Sequence, residues 1–72
     1  MYPLNHSKAG EEIVVQCLNC HFDDVCRLNE LGCVVGTNGT ILSNQQNVIL
    51  KVGESRLAIN GNLAQRILVR PR

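Results

Sequence analysis

The chain has 72 residues, of which 44% are hydrophobic and 18% charged, and its formal net charge at neutral pH is +1. A chain this short forms one domain that buries about 60% of its unfolded surface, so it has little room for both a core and a deep enzyme cleft. The weak positive charge and the 3% aromatic content argue against nucleic acid binding, which requires a basic surface or aromatic stacking platforms.

The N-terminal residues predict a polar lead-in without a targeting signal. We expect residues 1–9 to precede the folded part of a single domain spanning 1–72, with His6 solvated, because chain termini are often mobile. The basic and then apolar arrangement of a signal peptide is missing, and no apolar run approaches the roughly 20 residues of a membrane span. A cytoplasmic protein without direct membrane insertion is therefore expected.

A strand and then a short helix are predicted after the lead-in. Residues 11–18 contain a run of branched aliphatic side chains, which favours a strand. Either of two adjacent aspartates suits the start of a helix that extends to residue 31. One face of that helix is apolar, and it consists of Val25, Leu28 and Leu31. Because so short a helix is not stable alone, this face must pack against a sheet, and Gly32 supplies the left-handed residue that ends the helix.

Short apolar segments separated by polar turns make up the rest of the chain. Four of these segments are predicted as strands, namely residues 40–42, 48–52, 57–59 and 67–69. The polar residues 43–47 form a hairpin loop between two of them, and residues 63–66 form one helical turn. The inventory is about five short strands with one short α-helix between strands 1 and 2. It predicts a mostly β fold, a small antiparallel barrel.

The order of these motifs resembles the FeoA family, whose members have an SH3-like fold. The matching segments are Ile13-Val14-Val15, Arg27-Leu28-Asn29-Glu30-Leu31-Gly32, Gly36-Thr37, Val48-Ile49-Leu50-Lys51-Val52-Gly53, Leu57-Ala58-Ile59, Ala64 and Ile67-Leu68-Val69. The resemblance covers about residues 10–70 in the order and spacing of the family. It implies an SH3-like barrel for nearly the whole chain.

Four positions depart from the FeoA pattern, namely Val35, Gly39, Asn47 and Asn60. Gly39 stands where an aliphatic strand residue is usual, so we expect the second strand to begin late or to contain a bulge. Asn60 replaces a frequent arginine, which weakens the inference of a basic partner-binding spot.

The resemblance implies a role in ferrous iron uptake. FeoA-like proteins act on FeoB, a membrane iron transporter with a cytosolic GTP-binding domain, so it implies a non-catalytic accessory protein that binds and modulates this domain. The expected contact residues are Arg27, Glu30, Arg56 and Asn60. Neither a nucleophile–base arrangement nor a phosphate-binding loop is recognisable, which favours a protein that is not an enzyme. The loops at 43–47 and 53–55 are alternative contact regions.

The remaining alternatives are a generic SH3-like adaptor, a homodimer paired through an uncovered strand edge, and a thiol-based module for Fe²⁺ or Zn²⁺. The metal hypothesis rests on Cys17 and Cys20, which form a C-x2-C pair, together with His21 and Cys26. A single C-x2-C pair is a weak zinc signal. In a helix, Cys26 and Cys33 would lie about 10 Å apart along the axis, too far to share one ion. We therefore assign Cys33 to packing.

Overall fold

The computed structural model describes residues 1–72 and consists of one six-stranded sheet with short helices. The elements in chain order are β1 (Tyr2–Pro3), a 3₁₀ helix (Leu4–His6), β2 (Glu12–Leu18), α1 (Phe22–Glu30), β3 (Asn38–Asn44), β4 (Asn47–Val52), β5 (Ser55–Asn60), α2 (Gly61–Ala64) and β6 (Ile67–Pro71). All strand pairs are antiparallel, in the spatial order β1-β6-β2-β3-β4-β5. The predicted mostly β class and the helix that follows the first predicted strand are confirmed.

The core is a single cluster of aliphatic side chains enclosed by the sheet. Its strand residues recur at every second position, as a sheet with one buried face requires. They include Ile13 and Val15 of β2, Val48 and Leu50 of β4, Leu57 and Ile59 of β5, and Ile67 and Val69 of β6. Leu28 of α1 and Ala64 of α2 complete the cluster at its ends. The cluster itself contains no aromatic residue, and aliphatic residues from nearly every strand fill its volume.

The N-terminal residues belong to the fold, so the expectation of a polar lead-in over residues 1–9 does not hold. Tyr2 pairs with Val69 to form β1 against β6, which adds a sixth strand to the five that were predicted. Leu4 is 0% exposed and lies in the core cluster. The side chain of Asn44 holds this segment in place. Its Nδ2 donates hydrogen bonds of 2.8 Å to the Asn5 carbonyl oxygen and 2.7 Å to the Ser7 carbonyl oxygen. His6 is exposed, as expected.

Helix α1 begins at Phe22, earlier than predicted, and its N-cap residue His21 makes no side-chain capping hydrogen bond. The two aspartates lie in the first turn, where their charge favours the positive end of the helix dipole. Of the predicted apolar face, Leu28 is buried, Val25 is half-buried and Leu31 is 48% exposed. The prediction that all three residues pack in the core is therefore wrong for Leu31, which lies beyond the last helical residue.

Gly32 ends the helix in the way the sequence predicts. Its φ is 95°, in the left-handed region that favours glycine. The Gly32 amide donates to the Asn29 carbonyl at 3.1 Å and the Cys33 amide donates to the Leu28 carbonyl at 2.8 Å. These two bonds form a Schellman motif, which also brings Cys33 into the core beside Leu28. The exposed position of Leu31 is a direct result of this reversal of the chain.

Strand β3 begins at Asn38 and contains a bulge, but the bulge lies at Leu42 and not at Gly39. The pairing with β4 shifts register between Ile41 and Ser43. Gly39 is needed for a different reason, because a Cβ there would lie 2.7 Å from Leu50 Cδ1. The small residue thus accommodates a core leucine from the neighbouring strand.

Candidate partner-binding groove

A groove of about 250 Å³ lies between helix α1 and strand β5, and it is the one surface cavity with a mainly apolar lining. Its lining residues are Arg27, Leu28, Leu31, Arg56, Leu57, Ala58, Ile59, Asn60 and Leu63. The groove exists because the Schellman turn leaves Leu31 outside the core, next to the edge of the sheet. Its apolar floor is continuous with the core, since Leu28, Leu57 and Ile59 belong to the core cluster.

Strand β5 is an edge strand, because it pairs with β4 on one side only. Its side chains alternate in burial: Leu57 and Ile59 are buried, whereas Arg56, Ala58 and Asn60 are exposed. Both sets line the groove. A cavity lined by successive residues of opposite orientation runs along the edge of the strand, not across one face of the sheet. The groove therefore borders the unpaired backbone groups of β5.

The charged residues that line the groove are both arginines. Arg27 and Arg56 line it, and Arg66 lines the adjoining cavity that Arg27 shares. None of the three forms an ion pair, and the one salt bridge in the protein joins Arg72 to Glu12 at 3.5 Å elsewhere. Asp24 is the acidic residue that lines the adjoining cavity. The residues that line the two cavities therefore carry a net positive charge, which favours an acidic partner.

Three of the four residues predicted to contact a partner come together here, namely Arg27, Arg56 and Asn60. Glu30 is exposed on α1 but does not line the groove. Sequence reasoning missed Leu31 and Leu63, which supply apolar surface. The helical period assigned Leu31 to the core, and no pattern in the sequence marks either residue as part of a surface.

Asn60 has a second role that its place after β5 did not reveal. Its side-chain oxygen accepts a hydrogen bond of 2.9 Å from the Leu63 amide and caps α2. We expect Asn60→Ala to lower the free energy of unfolding by about 1 kcal/mol, because an N-cap oxygen is lost. Chemical denaturation would measure this change. Asn60→Asp is the matched control, since it keeps the oxygen; an equal loss in both variants would contradict the capping role.

The predicted metal ligands do not assemble into a site. Cys17, Cys20 and Cys26 are half-buried, His21 is exposed, and no group of three or more histidine, cysteine or acidic side chains lies close enough to hold a metal ion. Burial, and next the charge of Asp24, raise the pKa of the Cys20 thiol, which disfavours the thiolate that binds metal. The arrangement of these residues does not fit a resident Fe²⁺ or Zn²⁺.

We expect stoichiometric Zn²⁺ to leave the unfolding midpoint of the protein unchanged. The double substitution of Cys17 and Cys20 by serine should leave metal content unchanged as well, because no third ligand accompanies the pair. Mass spectrometry of anaerobically purified protein, with thermal unfolding as a second readout, tests this prediction. One equivalent of tightly held metal that disappears in the double variant would contradict it.

Cys33 should make the stability depend on pH at alkaline values. Burial, and to a lesser extent Cys20, raise the pKa of its thiol from 9.0 to about 11. The folded protein therefore holds this proton longer than the unfolded chain, so the contribution to stability is complete below pH 9 and is lost as the pH rises through 11.

We expect a loss of about 2 kcal/mol across this interval, measured by denaturant unfolding at a series of pH values. The Cys33→Ala variant removes the titrating group and should show a smaller slope. Tyr2 and Cys20 also have raised pKa values and remain in both proteins, so the difference between the two curves isolates Cys33. Parallel curves would contradict the assignment.

The single antiparallel sheet of six short strands around one aliphatic core defines an SH3-like domain. No helix in the protein has both the length and the hydropathy to cross a bilayer. The chain belongs to the FeoA family, since the family model described as "FeoA domain" matches residues 2–71.

Comparison with individual proteins supports this assignment. The chain is 34% identical over 70 residues to "Putative Fe(2+) transport protein A" of Methanocaldococcus jannaschii, which covers 96% of the chain and 85% of the relative. It is similar to a crystal structure of an iron uptake regulatory protein (FeoA), with 27% identity and a TM-score of 0.88, and the match covers 99% of this chain and 96% of the other. The metal-dependent transcriptional regulator MtsR has the same fold at 19% identity and a TM-score of 0.87, with 99% of the chain matching 36% of MtsR.

Proposed function

We propose that the protein is a non-catalytic accessory component of ferrous iron uptake that binds the cytosolic GTP-binding domain of a FeoB-type membrane transporter. Membership of the FeoA family and the name of the M. jannaschii relative support the link to Fe²⁺ transport. The observation that carries the binding role is the groove between α1 and β5, which combines exposed apolar surface with unpaired arginines. Because its partner domain is cytosolic, the protein acts in the cytoplasm.

Binding would modulate the transporter if the groove has a higher affinity for one nucleotide state of the GTP-binding domain than for another. A ligand shifts a conformational equilibrium only by its difference in affinity for the two states. The protein would therefore change the GTPase rate or the pore state of the transporter by contact alone. No chemical step on this chain is required.

Calorimetric titration of the protein into the cytosolic domain tests the proposal, with GDP, with a non-hydrolysable GTP analogue, and without nucleotide. We expect saturable binding in at least one nucleotide state and an affinity that differs between states. The GTP hydrolysis rate of the transporter domain, measured with and without the protein, is the second readout. The absence of binding in every state would overturn the proposal.

A further inference from the structure

We propose that the groove takes an extended acidic segment of the partner, which adds to β5 as a further strand and alternates carboxylate with apolar side chains. That the segment belongs to the transporter domain rests on the function proposed above. The chemistry of the segment is argued from the groove alone.

The backbone of β5 makes it the edge where a strand can be added. All six residues from Ser55 to Asn60 pair with β4 in continuous register, without a bulge, and no proline interrupts them. Every second residue of an antiparallel edge strand directs its N–H and C=O groups away from its partner, and these groups bind an added strand. The other edge of the sheet, β1, is only two residues long and contains Pro3.

The two sides of the groove favour different side chains in the added segment of the partner. Towards the core, Leu57 and Ile59 are continued by Leu28, Leu31 and Leu63, so this side accepts apolar groups. On the opposite side of the strand, Arg56, Ala58 and Asn60 are exposed. An added strand turns alternate side chains to these two sides. Its apolar positions therefore face the leucines, and its carboxylates lie beside Arg56.

Charge selects an acidic guest over a second copy of the chain. Arg27, Arg56 and Arg66 carry three positive charges around the groove without an ion-pair partner. The acidic residues nearby are Asp24 in the adjoining cavity, Asp23 and Glu30 in exposed positions of α1, and Glu54 in the exposed turn before β5, and none of them lines the groove itself. Two β5 strands paired by a two-fold axis would bring two sets of these arginines together, which is unfavourable. A segment with carboxylates at alternate positions neutralises them instead.

Nuclear magnetic resonance titration of the isotope-labelled full chain tests this inference with defined probes. The first probe is a capped heptapeptide that alternates glutamate and valine, and its matched control alternates lysine and valine. We expect the glutamate peptide to shift the amide signals of α1 and β5 and to bind at least about tenfold more tightly than the lysine peptide. Equal affinity, or shifts that are largest outside α1 and β5, would overturn the inference.

N-methylation of the glutamate peptide then tests strand addition without any change in the protein. One derivative carries methyl groups on the glutamate nitrogens and the other on the valine nitrogens. Only one of these sets faces β5, so one derivative should lose about tenfold or more in affinity while the other is nearly unaffected. Two results would overturn strand addition. One is that both derivatives bind as tightly as the unmodified peptide, and the other is that neither derivative binds.

These outcomes are independent of the transporter. If the calorimetric experiment fails but the peptides behave as expected, the proposed function is wrong and the groove chemistry stands. If the transporter domain binds but the peptides do not discriminate, the groove chemistry is wrong and the proposed function stands. Sedimentation of the chain alone is the last experiment. A dimer that Arg56→Glu stabilises would indicate that a second copy occupies the groove, and this result would overturn the inference.

Discussion

Leu4→Ala is expected to lower the free energy of unfolding by about 2–4 kcal/mol, because the shortened side chain leaves a cavity in the core. Leu4 is 0% exposed and packs in the core cluster, although no apolar periodicity in residues 1–9 marks it as a core residue. For a domain of this size, 1 kcal/mol corresponds to about 4–8 °C in Tm. Thermal and denaturant unfolding of the purified variant would measure the loss.

Leu42→Ala is the matched control for this prediction. The same atoms are removed, but Leu42 is 37% exposed at the bulge of β3, so the expected loss is below about 1 kcal/mol. Similar losses in the two variants would contradict the placement of the N-terminal segment in the core. A marked loss for Leu4→Ala alone would support the placement of Leu4 in the core.

The double substitution of Arg27 and Arg56 by glutamate is expected to weaken binding to the transporter's cytosolic domain by about 10- to 100-fold. Like charges placed at an interface raise its free energy, and this change corresponds to about 1.4–2.7 kcal/mol. Both arginines line the groove, and neither is part of a salt bridge that holds the fold together. Binding affinity by calorimetry and unfolding by circular dichroism would separate a binding defect from a folding defect.

The control for this variant changes the net charge by the same amount away from the groove. Lys8 and Arg70 are exposed and do not line it, so their joint substitution by glutamate should affect affinity much less. The difference between the variants should persist at high salt, because long-range attraction is screened whereas local contacts are retained. Equal losses in the two double variants, or no loss in either, would count against the groove as the contact surface.

The strands could be predicted from the sequence because their apolar residues alternate over segments bounded by glycine and polar residues. β4 is the clearest example, with Val48 and Leu50 both directed into the core. The end of α1 could also be predicted, since a left-handed residue was required and Gly32 has the expected φ. In each of these cases the structure depends on residues that are neighbours in the chain.

The features that were not predicted depend on contacts between distant parts of the chain. Tyr2 pairs with Val69, and a single buried leucine within a polar stretch has no period that marks it. Leu31 is a local exception, because it continues the helical pattern and only the detailed geometry of the Schellman turn removes it from the core. The groove is formed by α1, β5 and α2 together, so its residues could be proposed singly without their arrangement being known.

The cysteines show the limit of spacing as evidence. Cys17 and Cys20 have the separation of a zinc-binding pair, yet the first lies at the end of β2 and the second in the turn that follows it. A metal site needs further ligands whose positions the spacing of one pair does not specify. Cys33, in contrast, was assigned to packing and is fully buried.

Amide hydrogen exchange on the full chain, alone and with the transporter's cytosolic domain, tests most directly whether this family member docks through the edge formed by α1 and β5. We expect slower exchange on complex formation in Phe22–Glu30 and Ser55–Asn60, with little change in β1 and in the loop between β3 and β4. Protection that appears at β1 or at residues 43–47, while β5 exchanges as it does in the free protein, would contradict it.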